Sequence, residues 1–157
     1  MTTRNVFWWF GFFYVGISLQ NTLPGTDVLV VGLLIALHER RVLQLAWLLP
    51  VLILIQEGGG TLDFGAAVLW YAAVIALFFI GHWLFEAENM LFIFLLSAFM
   101  GLAHLGVVHL MARLQSAPLD KALLLDESIL QALFIVLAWR PMSFTRRLLG
   151  PYHEDTN

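Results

Sequence analysis

The sequence predicts an all-α membrane protein: one domain, residues 1–157, folded as a compact bundle of about six transmembrane helices with both termini cytoplasmic. Three observations carry this reading. Hydrophobic residues make up 61% of the chain and charged residues 12%, with a mean hydropathy of +0.85. Soluble chains run nearer ~45–50% apolar and ~25% charged, so the excess apolar surface must face lipid. The apolar residues also come in continuous runs, which favours helices over the alternation of a barrel. Finally, short polar connections separate the runs at Gln20–Asp27, His38–Arg41, Gln56–Asp63 and Glu86–Asn89.

The expected helices cover about 6–20, 24–38, 42–56, 63–85, 90–113 and 127–140. The first follows Arg4 and opens with Phe7-Trp8-Trp9-Phe10, unlike the core of a signal peptide. No small-x-small cleavage site follows it, so it reads as a membrane helix. The second is the shortest, since the strictly apolar run Val28–Leu37 covers only ~15 Å. Starting it at Leu23 lengthens it, with Pro24 in the first turn, where a missing N–H costs nothing. The third needs flanking polar residues, or a thinned bilayer, to make up its length. The fourth and fifth are long enough to span outright, at ~20 residues per crossing. Between the fifth and sixth lies Leu114–Ser128, where Pro118 starts a run, Leu119–Glu127, suited to a short interfacial helix. Arg140-Pro141 is expected to stop the last helix.

Six spans with the N-terminus inside place Arg4, Arg40, Arg41, Arg140, Arg146 and Arg147 on the inner side and Arg113 and Lys121 outside. That distribution obeys the positive-inside rule. A five-span arrangement splits Arg4 from the other basic clusters. Trp8, Trp9, Trp83 and Trp139 lie near segment ends, as interfacial aromatics do.

The net charge of −3 argues against a nucleic-acid partner. Without cysteine there is no disulfide, thiolate metal site or Cys nucleophile. No Ser-His-Asp or HExxH arrangement is present, and Gly58-Gly59-Gly60 lacks the ending and the preceding strand of a phosphate loop. The expectation is a non-enzyme with no catalytic residues, no metal and no cofactor. Ionisable groups within membrane segments are functional candidates by default; here they are His82, His104 and His109, with Glu57 at a segment end. His104 and His109 diverge by ~140° on one helix and cannot serve one haem iron from one face. Hydrogen bonding to neighbouring helices is the simpler role for all three histidines. The pairs Arg40/Arg41 and Arg146/Arg147 are candidates for binding a partner or anionic lipid. Gly11 and Gly16, and Gly101 and Gly106, are small residues that permit close helix contact.

The order of features resembles a known family. Leu23-Pro24-Gly25-Thr26-Asp27 opens a short apolar segment that closes on Ala36-Leu37-His38-Glu39-Arg40-Arg41. A hydrophobic segment then ends in Gln56-Glu57, followed by glycines and Leu62-Asp63-Phe64-Gly65-Ala66. Over roughly residues 1–100 this layout is similar to the rod shape-determining protein MreD family. It departs from the family in separating proline from acid, and in placing the glycines after Glu57. The resemblance implies a non-enzymatic scaffold of the bacterial inner membrane, binding other integral or bitopic proteins of the cell-wall elongation machinery, MreC among them. The family is similar in architecture to the substrate-binding subunits of ECF transporters. That alternative predicts a pocket near the outer face, around Gln20–Asn21, Gln56–Glu57 and Leu114–Ser128, walled by Trp70, Tyr71 and Asn21. A second alternative is a small haem- or quinone-binding respiratory subunit using His82, His104 or His109.

Overall fold

The computed structural model describes residues 3–23, 25–59, 65–84 and 90–149. Expectations resting on Pro24, Gly60, Leu62, Asp63, Phe64, Glu86 and Glu88 lie outside the described residues. The described residues form α1 (Thr3–Gln20), α2 (Val30–His38), α3 (Val42–Gly59), α4 (Ala66–Leu84), α5 (Met90–Leu114) and α6 (Lys121–Leu149). No strand occurs among them. Helices α4, α5 and α6 are long and apolar enough to cross a membrane, while α3 carries a shorter apolar stretch.

The short second segment has a different place from the other five. At nine residues, α2 rises only ~13.5 Å, less than half the ~30 Å hydrocarbon core. Every residue from Val30 to Leu37 is buried, and α3, α4 and α6 all pack on it. A helix that is apolar on all sides is a core helix, and α2 is the buried helix on which α3, α4 and α6 pack. Gly32 sets how close α1 can come, since a Cβ there would lie 2.5 Å from the Phe12 ring.

The last helix differs from expectation. One continuous α6 replaces an interfacial helix followed by a span, and Pro141 does not stop it. Asp120 starts the helix early, accepting from the Ala122 and Leu123 amides at 2.9 and 3.3 Å, the bonding of an N-cap. Pro141 removes one helical hydrogen bond, but it sits on the exposed face. Buried anchors on either side, Ala138 and Trp139 before it and Arg146 after it, hold the helix to the bundle.

The broadest helix contact is between α5 and α6. Gly101 makes it possible: an added Cβ would sit 2.8 Å from the Ser128 carbonyl oxygen and 3.0 Å from Ala132 Cβ. Gly16 similarly receives Leu29, whereas Gly11 and Gly106 face open space. One glycine of each expected pair therefore permits a contact within the chain. Gly101→Ala is expected to destabilise the bundle by ~1–3 kcal/mol through overpacking. Gly106→Ala should be neutral or stabilising by ~0.5–1 kcal/mol, because it only removes helix-interior glycine. Thermal unfolding in detergent, followed by tryptophan fluorescence, separates the two.

The aromatic belt is also redistributed. Trp83 is exposed, but Trp8, Trp9 and Trp139 are buried. Trp8 stacks on Phe12 at 5.4 Å, and Trp9 meets Phe12 and Trp47 edge-on. Trp139 sits edge-on to His38. Trp8 and Trp9 turn inward where Arg146, a buried cation, lies under both rings.

Candidate functional site

Two polar clusters lie inside this apolar bundle, one toward each end. The first is at the end that carries both helix-terminal segments, where Arg4 Nη2 donates to the Leu148 carbonyl at 2.6 Å. Its centre is Arg146, only 4% exposed. The guanidinium grips Glu39 with two bonds, Nε to Oε1 at 2.6 Å and Nη2 to Oε2 at 2.9 Å. Its Nη1 donates to Asn5 Oδ1 at 2.6 Å. Gln44 closes the ring, its amide oxygen accepting from Arg146 Nη2 and its nitrogen donating to Glu39 Oε2, both at 3.2 Å. The Trp8 and Trp9 rings cover the cation, with Cζ 4.7 and 5.5 Å from their centroids. Four helices or helix ends thus converge on one planar, fork-shaped cation, a geometry that lysine cannot copy.

The second cluster begins at Asp27, in the connection between α1 and α2. Asp27 Oδ1 accepts from the Leu29 and Val30 amides at 2.9 and 3.2 Å, satisfying orphan donors where α2 begins. Its Oδ2 accepts from Trp70 Nε1 at 2.8 Å. Gln131, fully buried on α6, binds the Asp27 backbone in both directions: the Asp27 amide donates to Oε1 at 2.6 Å, and Nε2 donates to the Asp27 carbonyl at 3.1 Å. Below Trp70, the His104 ring stands edge-on at 5.3 Å, with Nδ1 3.2 Å from Ser128 Oγ. Ser128 gives its own proton to the Leu124 carbonyl at 2.8 Å, so it accepts from His104 Nδ1–H. His104 Nε2 therefore keeps its lone pair.

A cavity of about 740 Å³ opens beside this second cluster. It lies at the end of the bundle away from the Arg146 ring, between the last turns of α1, α3 and α5 and the first turns of α4 and α6. Gln20, Asn21, Gln56, Glu57 and Trp70 line it. Tyr71, expected beside them, is buried behind the wall. Glu57 fixes the rim, its Oε1 accepting from the Gly65 and Ala67 amides at 2.9 Å each. Gln20 Nε2 donates to Gln56 Oε1 at 2.7 Å. Gly25, at φ +74°, leaves the space that the Glu127 carboxyl occupies.

The remaining expected site residues fall in separate places. Arg40, itself at φ +53°, bonds His82 Nε2, and the His82 ring stacks on Phe78. Arg41 approaches Glu39 at 3.9 Å. Arg147 is exposed beside the buried Arg146, so of this pair Arg147 is the one turned to the surroundings. His109 is half-buried farther along α5. His82 lies level with Phe92, which abuts both Gly81 and Phe78, whereas His104 lies level with Trp70. The two histidines are about 12 residues, or ~18 Å, apart in depth. They cannot ligate one haem iron, which needs both imidazoles at one cavity. Among the described residues, no group of three His, Asp or Glu converges as a metal site.

Sequence reasoning passed over Asn5, Gln44 and Gln131, and named Thr26, Asp27 and Ser128 without giving them a site role. The available signal was a polar side chain inside or beside an apolar run, which a membrane bundle retains only when it is paired or functional.

Comparisons with protein families, with curated proteins and with solved structures return no match to this chain.

Proposed function

We propose that this chain is a non-enzymatic membrane assembly subunit of the MreD type. It would sit in a bacterial cytoplasmic membrane with both termini inside, and bind single-span proteins of the cell-wall elongation machinery. One observation carries the reading. Among the described residues, the acidic residues in the stretches that give the resemblance, Asp27, Glu39 and Glu57, each fix a different helix junction. The layout that gives the resemblance is thus a layout of fold determinants, which suits a chain whose role is to hold partners rather than to catalyse.

The surface for a partner is the outer face of α1. Phe7, Phe10 and Tyr14 are 72, 71 and 77% exposed, spaced i, i+3 and i+7 as helix-docking anchors are. Gly11 lies among them with nothing within 4 Å of an added Cβ. Small residues between large ones let a second membrane helix approach closely.

Mild-detergent purification of the tagged protein from its native membrane, with mass spectrometry of the eluate, tests this reading. Stoichiometric recovery of an MreC-like elongation protein is expected. Gly11→Leu should abolish that recovery without lowering the unfolding temperature, since the added side chain meets nothing inside the bundle. Recovery of an ATPase module without elongation proteins would overturn the reading. The cavity favours a second reading, a substrate-binding subunit of a small-molecule transporter, for which a ligand should appear in the same eluate.

A further inference from the structure

We propose that the cavity is a binding site for a small organic cation, a molecule with an apolar body and separated ammonium groups. This deepens the second reading, because it names the class of ligand that the cavity would take.

Size is the first argument. At about 740 Å³, the cavity falls within the ~300–1,000 Å³ usual for small-molecule sites. Charge is the second. Asp27, Glu57, Asp120 and Glu127 line it, and no lysine or arginine does so among the described residues. The neutral polar atoms on the wall add acceptors of the same kind. His104 Nε2 carries a lone pair because Nδ1 holds the proton, and Gln20 Oε1, buried just behind the wall, has no hydrogen-bond partner. An anion or a pure acceptor would find no complementary charge here, whereas an ammonium group brings the donors these atoms lack.

The third argument is an unmet bond. Thr26 is 2% exposed and lines the cavity, yet its hydroxyl has no partner. A buried polar group without a partner is costly, so a bound molecule that reached the Thr26 hydroxyl would relieve that cost. Trp70 adds an aromatic wall, and rings attract organic cations through their faces. Ile17, Ile55, Val107 and Leu123 supply the apolar part of the lining.

The spread of the carboxylates separates an organic cation from a metal ion. Metal binding needs several oxygens converging within ~2.6 Å of one point, and no such group exists among the described residues. Glu127 offers a carboxylate for direct bonding, and Asp27, Glu57 and Asp120, already bonded within the chain, spread negative charge around the cavity that suits positive charges spaced along a molecule.

The test uses the purified full-length protein in lipid nanodiscs, titrated with hexamethylenediamine, hexanediol and adipate. These probes share a six-carbon body and differ in charge. Saturable quenching of tryptophan fluorescence by the diamine alone is expected. Glu127→Gln keeps the shape of Glu127, which closes no helix junction. It should weaken diamine binding by about tenfold or more, as loss of a charge-assisted hydrogen bond does. Thr26→Val should weaken binding several-fold while the unfolding temperature stays the same or rises. Equal responses to diamine and diol, a preference for adipate, no response to any probe, or diamine binding untouched by Glu127→Gln would each overturn the proposal. A diol or adipate response would still leave a small-molecule site of another class. The second reading itself is tested apart, by small molecules recovered from the native membrane, and the assembly reading by recovered proteins.

Discussion

Arg146→Ala is expected to be the most damaging single truncation in the chain. It removes both bonds to Glu39, the bond to Asn5, the bond to Gln44 and the cation beneath Trp8 and Trp9. Breaking a buried ion pair from one side costs ~3–5 kcal/mol, because the other charge is left without its partner. Glu39 keeps 19% of its side-chain surface exposed and can recover some hydration, which puts the expected cost near the lower bound. In a chain of this size that is a fall of ~10 °C in unfolding temperature. Arg146→Lys should lie between wild type and alanine, since an ammonium group keeps the charge but cannot make the two-bond grip. The informative control is the double variant Arg146→Leu with Glu39→Leu. Removing both charges should restore part of the stability that either single change loses. Detergent unfolding curves in which Arg146→Ala matches wild type would show that the ring does not hold this end of the bundle together.

Gln131→Leu is expected to have the second-largest effect. Leucine is close to glutamine in size and better suited to an apolar interior, so packing alone predicts a gain. The hydrogen bonds predict the reverse. Gln131 is the partner of both the amide and the carbonyl of Asp27, and each buried backbone group left unpaired costs ~1–3 kcal/mol. A net loss of ~2–4 kcal/mol is expected on that basis. Asp27→Asn should be milder, because an asparagine oxygen can still accept from Leu29 and Val30. Amide hydrogen exchange gives the specific readout: in Gln131→Leu, protection should fall first at the amides of 27–30. Loss of stability spread evenly over all six helices would argue that the defect is one of packing instead.

The number and order of the helices were legible because apolar runs of this length have few alternatives. α4 and α5 begin and end close to where hydropathy places them. Two features were hidden for physical reasons. Hydropathy measures whether a residue avoids water, and it does not distinguish lipid from protein as the shelter. α2 therefore read as a weak span, although it is the helix with no lipid-facing surface. Similarly, Arg146 and Arg147 are adjacent and chemically identical in the sequence, yet one is the centre of a buried ring and the other is exposed. Their difference lies in what residues 5, 39 and 44 bring to them, which no local pattern encodes. The cavity was partly visible: the connections around Gln20, Gln56 and Leu114–Ser128 do surround it. Its acidic character was not, because Asp27 and Glu127 are 100 positions apart in the chain and meet only across the fold.

The two buried polar rings also set when this protein can be completed during synthesis. Asp27 waits for Gln131, 104 residues later, Glu39 waits for Arg146, 107 later, and Asn5 waits for the same arginine, 141 later. A ribosome has made all of α1 to α5 before either tie can close. Until then α2 is a short apolar segment whose capping acid has its own backbone amide and carbonyl unpaired, and it is too brief to hold a position across the bilayer by itself. The early helices must therefore enter the membrane as a loose set. Arrival of the last helix converts them into one body, so a chain shortened ahead of Gln131 should remain a substrate for membrane quality-control proteases however many of its spans have inserted.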